Sequence, residues 1–128
     1  MKSQKKIFII LVIIYCINVL SCTCKCKEDV DFKNFYFKKI DDIISYDKNM
    51  STVGYSFTED YWFKFYDTIW YLERLTNQKT RYVGGEPPLY SKKSDLKKDI
   101  RSFKNWYKEN KCGMSIEKAD SIIYESYF

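Results

Sequence analysis

The chain has 128 residues, no histidine and a formal net charge of +5, from 22 basic and 17 acidic side chains. This length allows one domain at most, and a chain without histidine cannot use a Ser–His or Cys–His nucleophile. Three of the basic residues, Lys2, Lys5 and Lys6, lie at the N-terminus, so the remainder carries 19 basic against 17 acidic residues. That near balance gives little support to nucleic-acid binding, and we expect no nucleic-acid partner.

The N-terminal segment has the pattern of an export signal. An almost wholly apolar run over residues 7–20 follows the lysines, and it is shorter than the roughly 20 residues that span a bilayer. A basic start, a short apolar run and small residues after it are typical of a secretory signal. We therefore expect a signal peptide over residues 1–21, a tether over residues 22–31 and a single domain over residues 32–128.

The stretch Val19-Leu20-Ser21-Cys22 ends the apolar run. It resembles the lipobox of bacterial lipoproteins, which has an aliphatic residue three positions before the modified cysteine and a small residue one position before it. The resemblance, to small uncharacterised Bacteroidota-type lipoproteins, implies diacylglyceryl transfer to the Cys22 sulfur and acylation, for example by palmitate, of the new amino group. Two or three acyl chains anchor a protein stably. The resemblance thus predicts an exported chain attached to the outer membrane through Cys22.

Cys24, Cys26 and Cys112 remain once Cys22 carries lipid. Thiols of exported proteins tend to form disulfides, but three cysteines allow one bridge, and the sequence leaves open which pair forms or whether all stay reduced. A tetrahedral metal site needs four spaced ligands, and the chain has no histidine to complete one. We therefore expect neither a metal nor a cofactor.

The triplet Lys27-Glu28-Asp29 follows the cysteines. It resembles the lysine-plus-two-acidic signal that some Bacteroidota lipoproteins carry near the modified cysteine for display on the cell surface. The resemblance implies surface exposure, and a periplasmic orientation is the alternative that the sequence leaves open.

Two segments with apolar residues three and four apart predict the first two amphipathic helices. The first begins at an Asp31 N-cap and is broken by the stretch KNMSTVG, residues 48–54. The second begins at a capping box formed by Ser56 and Glu59 and ends near Asn77. The first predicted apolar face consists of Phe32, Phe35, Tyr36, Ile40, Ile43 and Ile44. The second consists of Tyr61, Trp62, Phe65, Tyr66, Ile69, Leu72 and Leu75.

Two further helices are predicted after a loop. The third runs from a Ser94 cap to about Lys111 and is stopped by Gly113 in the left-handed conformation. The fourth is capped by Ser115 and continues to about Tyr127. Their predicted apolar faces consist of Leu96, Ile100, Phe103 and Tyr107, with Trp106 at the edge, and of Ala119, Ile122 and Ile123.

A long loop over residues 77–93 separates the second and third helices. Its sequence GGEPPL, residues 84–89, cannot form regular helix, because prolines remove amide donors and glycines raise the entropy of the unfolded backbone. A short hairpin around Gly84 and Gly85, with TRYV as its first strand, is possible there. Loops of this length in small domains are often functional.

The segments YLERLTNQK and DLKKDIRSFKNWYKENK flank this loop. They resemble a helix pair of uncharacterised bacterial secreted proteins, in which a Leu-Thr-Gly-like turn precedes a helix with an aromatic-x-x-Trp-aromatic-x-x-Asn pattern. Asn77 stands where those proteins have glycine. The resemblance implies a helical domain and supplies no function.

These elements predict a mostly α fold, a small bundle of about four helices with an aromatic core and one long Gly/Pro loop. Asp60 and Asp67 share a helix face, as a pair of glycosidase carboxylates would require. Acidic residues at this spacing usually form a solvated face, so we expect no enzymatic activity. The surplus aromatic residues predict a surface for a protein or glycan partner. Its candidate residues are Trp70, Tyr71, Tyr82 and Tyr90.

The expected function is a non-catalytic binding or interaction role in the cell envelope. One alternative is an immunity protein that neutralises a toxin in the envelope, and the Gly/Pro loop is then the expected contact. The other alternative is a glycan-binding accessory lipoprotein, which would use the aromatic surface.

Overall fold

The computed structural model describes residues 26–53, 59–85 and 90–126. Four helices follow one another in these segments: α1 (Val30–Val53), α2 (Glu59–Thr76), α3 (Lys93–Asn110) and α4 (Ile116–Glu125). The described segments contain no strand, and an isolated antiparallel bridge joins Glu28 to Cys112. The predicted mostly α bundle of four helices is confirmed.

The core lies where the apolar faces of the four helices meet, with α2 in contact with each of the other three. Each large apolar side chain that is removed from water here stabilises the fold by about 1.5–3 kcal/mol. The largest fully buried side chains are Tyr36, Phe32, Phe103, Ile40, Ile43, Ile69 and Leu72, and all of them belong to the predicted faces.

Two residues of the first predicted face lie away from the core. Ile44 is 38% exposed, so its prediction as a core residue is wrong. It directly follows Ile43, and one residue turns a helix by about 100°, which carries Ile44 off the buried stripe. Phe35 is half-buried and packs edge-on against Tyr71 of α2, with ring centres 5.4 Å apart.

Helix α1 starts earlier and ends later than predicted. Its N-cap is Asp29 rather than Asp31, because the Asp29 Oδ1 accepts a hydrogen bond of 2.8 Å from the Phe32 amide. The helix continues to Val53, and Met50, only 8% exposed, packs its last turns against the core. Gly54 and Ser56, and with them the predicted capping box, lie outside the described residues.

The other helix ends follow local backbone chemistry. Asn77, with a φ of 52°, ends α2 in the left-handed conformation. Helix α3 begins at Lys93, and Lys92 is its N-cap residue without a side-chain bond, so the predicted Ser94 cap is wrong. The predicted Ser115 cap is confirmed, since its side chain accepts from the Lys118 amide at 3.3 Å.

The loop between α2 and α3 is held against α2 by side chains of that helix. Glu73 Oε1 accepts hydrogen bonds from the Thr80 amide at 2.6 Å and from the Thr80 hydroxyl at 2.5 Å. The Tyr66 hydroxyl donates to the Gly85 carbonyl at 2.6 Å. Residues 78–85 form no strand, and the second half of the predicted hairpin falls at residues 86–89, outside the described residues.

Gly113 provides a test of backbone strain without side-chain crowding. Its φ is +69°, and a Cβ added there would meet no atom within 4 Å. We expect Gly113→Ala to lower the free energy of unfolding by about 1–2 kcal/mol, because an L-residue resists this conformation. Gly84→Ala is the matched control: its added Cβ also meets nothing, its φ is outside the left-handed region, and no loss is expected. Urea unfolding of both variants measures the difference, and equal midpoints would refute the backbone explanation.

Candidate functional site

The start of the described chain is joined covalently to the turn after α3. Cys26 and Cys112 form a disulfide with Cα atoms 5.2 Å apart and a sequence separation of 86 residues. Of the pairings that the sequence left open, the structure therefore contains Cys26–Cys112. The bridge encloses three of the four helices and part of the expected tether, whose residues 26–29 lie against the end of α3.

Glu28 reinforces this junction. Its carboxylate accepts a hydrogen bond of 2.7 Å from the Tyr107 hydroxyl and one of 3.1 Å from the Lys33 ammonium. Lys111 lies 3.8 Å from the same carboxylate. The hydrogen bond from Tyr107, followed by that from Lys33, lowers the pKa of Glu28 below its usual value. The carboxylate therefore stays ionised at neutral pH and holds the N-terminal segment against α3.

The predicted lipidation site Cys22 and the further cysteine Cys24 lie outside the described residues. Cys22 precedes the disulfide cysteine Cys26 by four positions in the chain. Its predicted modification remains a prediction.

Two of the predicted partner-surface residues, Tyr82 and Tyr90, belong to an aromatic cluster against α2. Their ring centres are 6.4 Å apart, and Tyr82 packs edge-on against Phe65 at 5.9 Å. Tyr90 is only 9% exposed, which corrects its assignment to a partner surface. It lies beside Asp99, and its burial followed by the charge of Asp99 raises the pKa of its hydroxyl.

The other two, Trp70 and Tyr71, are consecutive residues of α2 with different partners. Tyr71 is half-buried, donates a hydrogen bond of 3.1 Å to Asp120, and has the Lys39 ammonium 4.4 Å from its ring centre. Trp70 is 37% exposed, and the Arg74 guanidinium lies 5.9 Å from its ring centre. Of these two neighbours Trp70 is the more accessible.

A groove with an aromatic wall lies between α1 and α2 and has a volume of about 250 Å³. Three aromatic rings are stacked in its wall: Tyr46 lies 5.0 Å from Tyr61 and 4.2 Å from Phe65, with interplanar angles of 19° and 25°. Polar side chains from both helices complete the lining, namely Asp42, Ser45, Asn49, Lys64 and Thr68. An aromatic wall with a few convergent polar groups is typical of small-ligand sites.

Hydrogen bonds position the polar groups of this groove. Asn49 Nδ2 donates to the Tyr61 hydroxyl at 3.0 Å, and the Thr68 hydroxyl donates to the Lys64 carbonyl at 2.8 Å. Tyr46 is 3% exposed, and its hydroxyl has no hydrogen-bond partner among the described residues. Burial, the largest cause, raises the pKa of Tyr46 to about 12, so the hydroxyl keeps its proton at neutral pH.

Sequence reasoning missed this groove, although part of its signal is visible. Tyr46 lies three positions after Ile43 and continues the apolar face of α1 at helical spacing. The pairing of α1 with α2 is what places Tyr61 and Phe65 beside it, and no local pattern contains that pairing.

Asp99 is a buried carboxylate that sequence reasoning also missed. It is 2% exposed, accepts a hydrogen bond of 2.6 Å from the Arg81 amide and forms an ion pair with the Arg81 guanidinium. Nearby, Ser102 donates to the Gln78 side-chain oxygen at 2.6 Å. These bonds join the α2–α3 loop to α3, so the cluster has a structural role.

The candidate catalytic carboxylates Asp60 and Asp67 are both exposed, as a solvated face requires. No group of three or more potential metal ligands occurs within residues 26–53, 59–85 and 90–126. No helix in the part of the chain that the structure describes has the length and apolarity needed to cross a bilayer.

Comparisons with known proteins add no relative. No protein-family model, curated protein or solved structure matches this chain.

Proposed function

We propose that this chain is a bacterial cell-envelope lipoprotein, anchored by lipid on Cys22, whose helical domain binds a partner and catalyses no reaction. The observation that carries the proposal is the disulfide between Cys26 and Cys112, which closes the domain four positions after Cys22. Disulfides persist in oxidising compartments outside the cytosol. The bridge therefore supports export, and export is what the lipobox resemblance requires.

The position of the bridge limits how far the domain lies from its anchor. Four residues span at most about 14 Å between Cys22 and Cys26, so a lipid on Cys22 holds the disulfide end of the domain close to the bilayer. Along α1 the chain rises about 1.5 Å per residue, which places residues 42–49 roughly 18–28 Å beyond Val30. The groove between α1 and α2 is then well removed from the anchor and accessible to a partner in the envelope.

Glu28 and Asp29 of the proposed surface-display triplet have structural partners of their own. Glu28 binds Tyr107 and Lys33, and Asp29 caps α1. These contacts give both acidic residues a role in the fold, so their presence does not require a sorting signal. The proposal is therefore attachment to the outer membrane, with cell-surface display as a separate property that protease treatment of whole cells tests.

The groove favours one of the alternatives over the other. A glycan-binding accessory needs a concave site with an aromatic wall and hydrogen-bonding groups, and the groove around Tyr46 provides both. An immunity protein contacting its toxin through the Gly/Pro loop gains no comparable support, since the described part of that loop is held against α2 and α3.

Metabolic labelling with a clickable fatty acid tests the anchor. We expect label on the wild-type chain expressed in a bacterial host and complete loss of label in Cys22→Ala, because the thiol is the acceptor of the lipid. Cys24→Ala is the matched control and should keep the label, because Cys24 is not the expected acceptor of the lipid. The residue directly before Cys24 is Thr23, and the lipobox needs a small residue at that position. An unlabelled wild type, or label that survives Cys22→Ala, would refute the proposed anchor.

A further inference from the structure

The outer face of helix α3 is strongly basic. Of the nine exposed side chains of this helix, six are basic and one, Glu109, is acidic. Each basic residue lies three or four positions from another, and side chains at this spacing are neighbours on a helix surface. They form a basic stripe about 22 Å long, since a helix rises about 1.5 Å per residue. The residues of the basic stripe are Lys93, Lys97, Lys98, Arg101, Lys104 and Lys108.

The other acidic residues of α3 offset little of this charge. Asp99 is buried inside the protein and is paired with Arg81 of the preceding loop. Asp95 is paired with Lys98, with 3.5 Å between oxygen and nitrogen. The remaining five side chains of the basic stripe form no ion pair with the residues that the structure describes. A surface of one charge attracts a partner of the opposite charge.

The basic stripe begins at a cleft between α1 and α3 with a volume of about 270 Å³. Its apolar lining residues are Ile44 of α1 and Leu96 of α3, and Ile44 is 38% exposed although it is a large apolar residue. Three lysines and one acidic residue belong to the same lining, namely Lys48, Lys93, Lys97 and Asp47. Apolar and positive side chains in one cleft suit a ligand that combines carboxylates with an aliphatic group.

The single carboxylate of the cleft leaves it with an excess of positive charge. Asp47 is half-buried, and Lys93 is the cation whose charge acts on it. Lys48 and Lys97 form no ion pair among the described residues. Two lysines of the cleft are therefore available to bind carboxylates.

We propose that the basic stripe and the cleft together bind an acidic segment of a partner protein. Its carboxylates pair with the basic side chains, and an aliphatic side chain of the segment contacts Ile44. This inference deepens the proposed binding role by naming the chemistry of the partner, and it rests on the proposed function for the position of the anchor. The surface is separate from the groove between α1 and α2.

The position of the cleft favours a protein over the membrane that holds the anchor. Residues 44–52 lie roughly 21–33 Å beyond Val30 along α1. The segment before α1 is bound to Cys112 by the disulfide, close to the proposed lipid on Cys22. The cleft is thus at the end of α1 that points away from the anchored end. A partner protein in the envelope supplies both carboxylates and an aliphatic side chain at that end.

The test is fluorescence anisotropy of the full chain in a neutral detergent. The probe is a fluorescein-labelled peptide of Glu-Glu-Leu-Leu repeats, and the peptide with detergent alone gives the baseline. We expect saturable binding that weakens as salt is added, because salt screens exposed charges. Two comparison peptides separate the parts of the surface: serine replaces leucine in one, and glutamine replaces glutamate in the other. Both should bind more weakly than the probe.

Variants locate the binding on the surface. Lys97→Glu should bind the probe about tenfold more weakly, because attraction to a carboxylate becomes repulsion. Ile44→Ser should bind it about fivefold more weakly, because an apolar contact is lost. Lys64→Glu is the matched control: Lys64 is an exposed lysine of α2, this variant has the same net charge as Lys97→Glu, and it should bind as the wild type does. Circular dichroism verifies that each variant keeps its helices.

Three results would overturn the proposal. They are no binding of the probe, equal binding of the serine peptide, and equal weakening by Lys64→Glu and Lys97→Glu. Short-chain phosphatidylglycerol, titrated under the same conditions, tests the lipid alternative. Binding of this lipid that is lost in Lys97→Glu, without binding of the peptide, would assign the surface to a membrane instead. The fatty-acid labelling does not depend on α3, so a failed surface and a failed anchor are distinguished.

Discussion

Cys26→Ser is expected to lower the free energy of unfolding by about 4–5 kcal/mol. The bridge to Cys112 closes a loop with a sequence separation of 86 residues, and the chain-entropy treatment of a loop of this size gives a loss of this order. A small domain is stable by about 5–15 kcal/mol in total, so this variant loses a large part of its stability. Equilibrium urea unfolding followed by far-UV circular dichroism measures the change.

A set of cysteine variants isolates the bridge from the side chains. Cys112→Ser should lose as much stability as Cys26→Ser, and the double variant should lose no more than either, because all three remove one covalent link. Cys24→Ser is the control and should unfold with the wild type. Reductant should bring the wild type to the level of the variants. A wild type that is insensitive to reductant would show that the bridge does not carry this stability.

The helices could be predicted because their signals are local. Gly113 has the expected left-handed φ of +69°, although it lies two positions after Lys111, the C-cap of α3. Ser115 caps α4, as expected from a hydroxyl at a helix start. The apolar spacing of α1 and α2 identified the side chains that are now fully buried. Such patterns involve neighbours within one or two turns, and no tertiary information is needed to see them.

The predictions that are wrong involve contacts between distant parts of the chain. Asp29 rather than Asp31 caps α1, where the disulfide and the Glu28–Cys112 bridge hold the incoming segment against the end of α3. Tyr90 is buried and packs against Tyr82, although the sequence analysis assigned it to a partner surface. Packing decided the position of each of these residues, and the sequence shows packing only indirectly.

The candidate site was predictable only in part. The sequence identified Cys26 and Cys112 as possible partners but could not select this pair, since that choice depends on how close their Cα atoms lie. The groove needs Tyr46 of α1 and Tyr61 of α2 side by side, which is a property of the helix pairing. An aromatic surplus alone could not distinguish these residues from Trp70 and Tyr71.

Asp99 shows how a buried charge can be overlooked. It lies three positions after Leu96 and four before Phe103, so it occupies the apolar face of α3. A carboxylate at such a position is either exposed by a shift of the helix or paired inside the protein. Here it is paired with Arg81 from the loop. Asp99 is 2% exposed, so the carboxylate of this pair is shielded from water, unlike those of ion pairs on the surface.

We expect Asp99→Ala to lower the free energy of unfolding by about 3 kcal/mol. The substitution removes the acceptor of the Arg81 amide and of its guanidinium, and hydrogen bonds to a charged group are worth about 1.5–3 kcal/mol each. The Arg81 side chain is 51% exposed, so water compensates part of the loss at the guanidinium. Asp99→Asn retains an acceptor of the same size and should lose about half as much.

Asp95→Ala is the matched control on the same helix. The Asp95 side chain is 21% exposed, against 2% for Asp99, and its pair with Lys98 has 3.5 Å between nitrogen and oxygen, so its removal should change stability by no more than about 1 kcal/mol. Equal urea midpoints for Asp99→Ala and Asp95→Ala would refute the structural role of the buried pair. A large loss confined to Asp99→Ala would instead establish that one buried carboxylate fixes the α2–α3 loop on the bundle, because Arg81 connects to α3 through it.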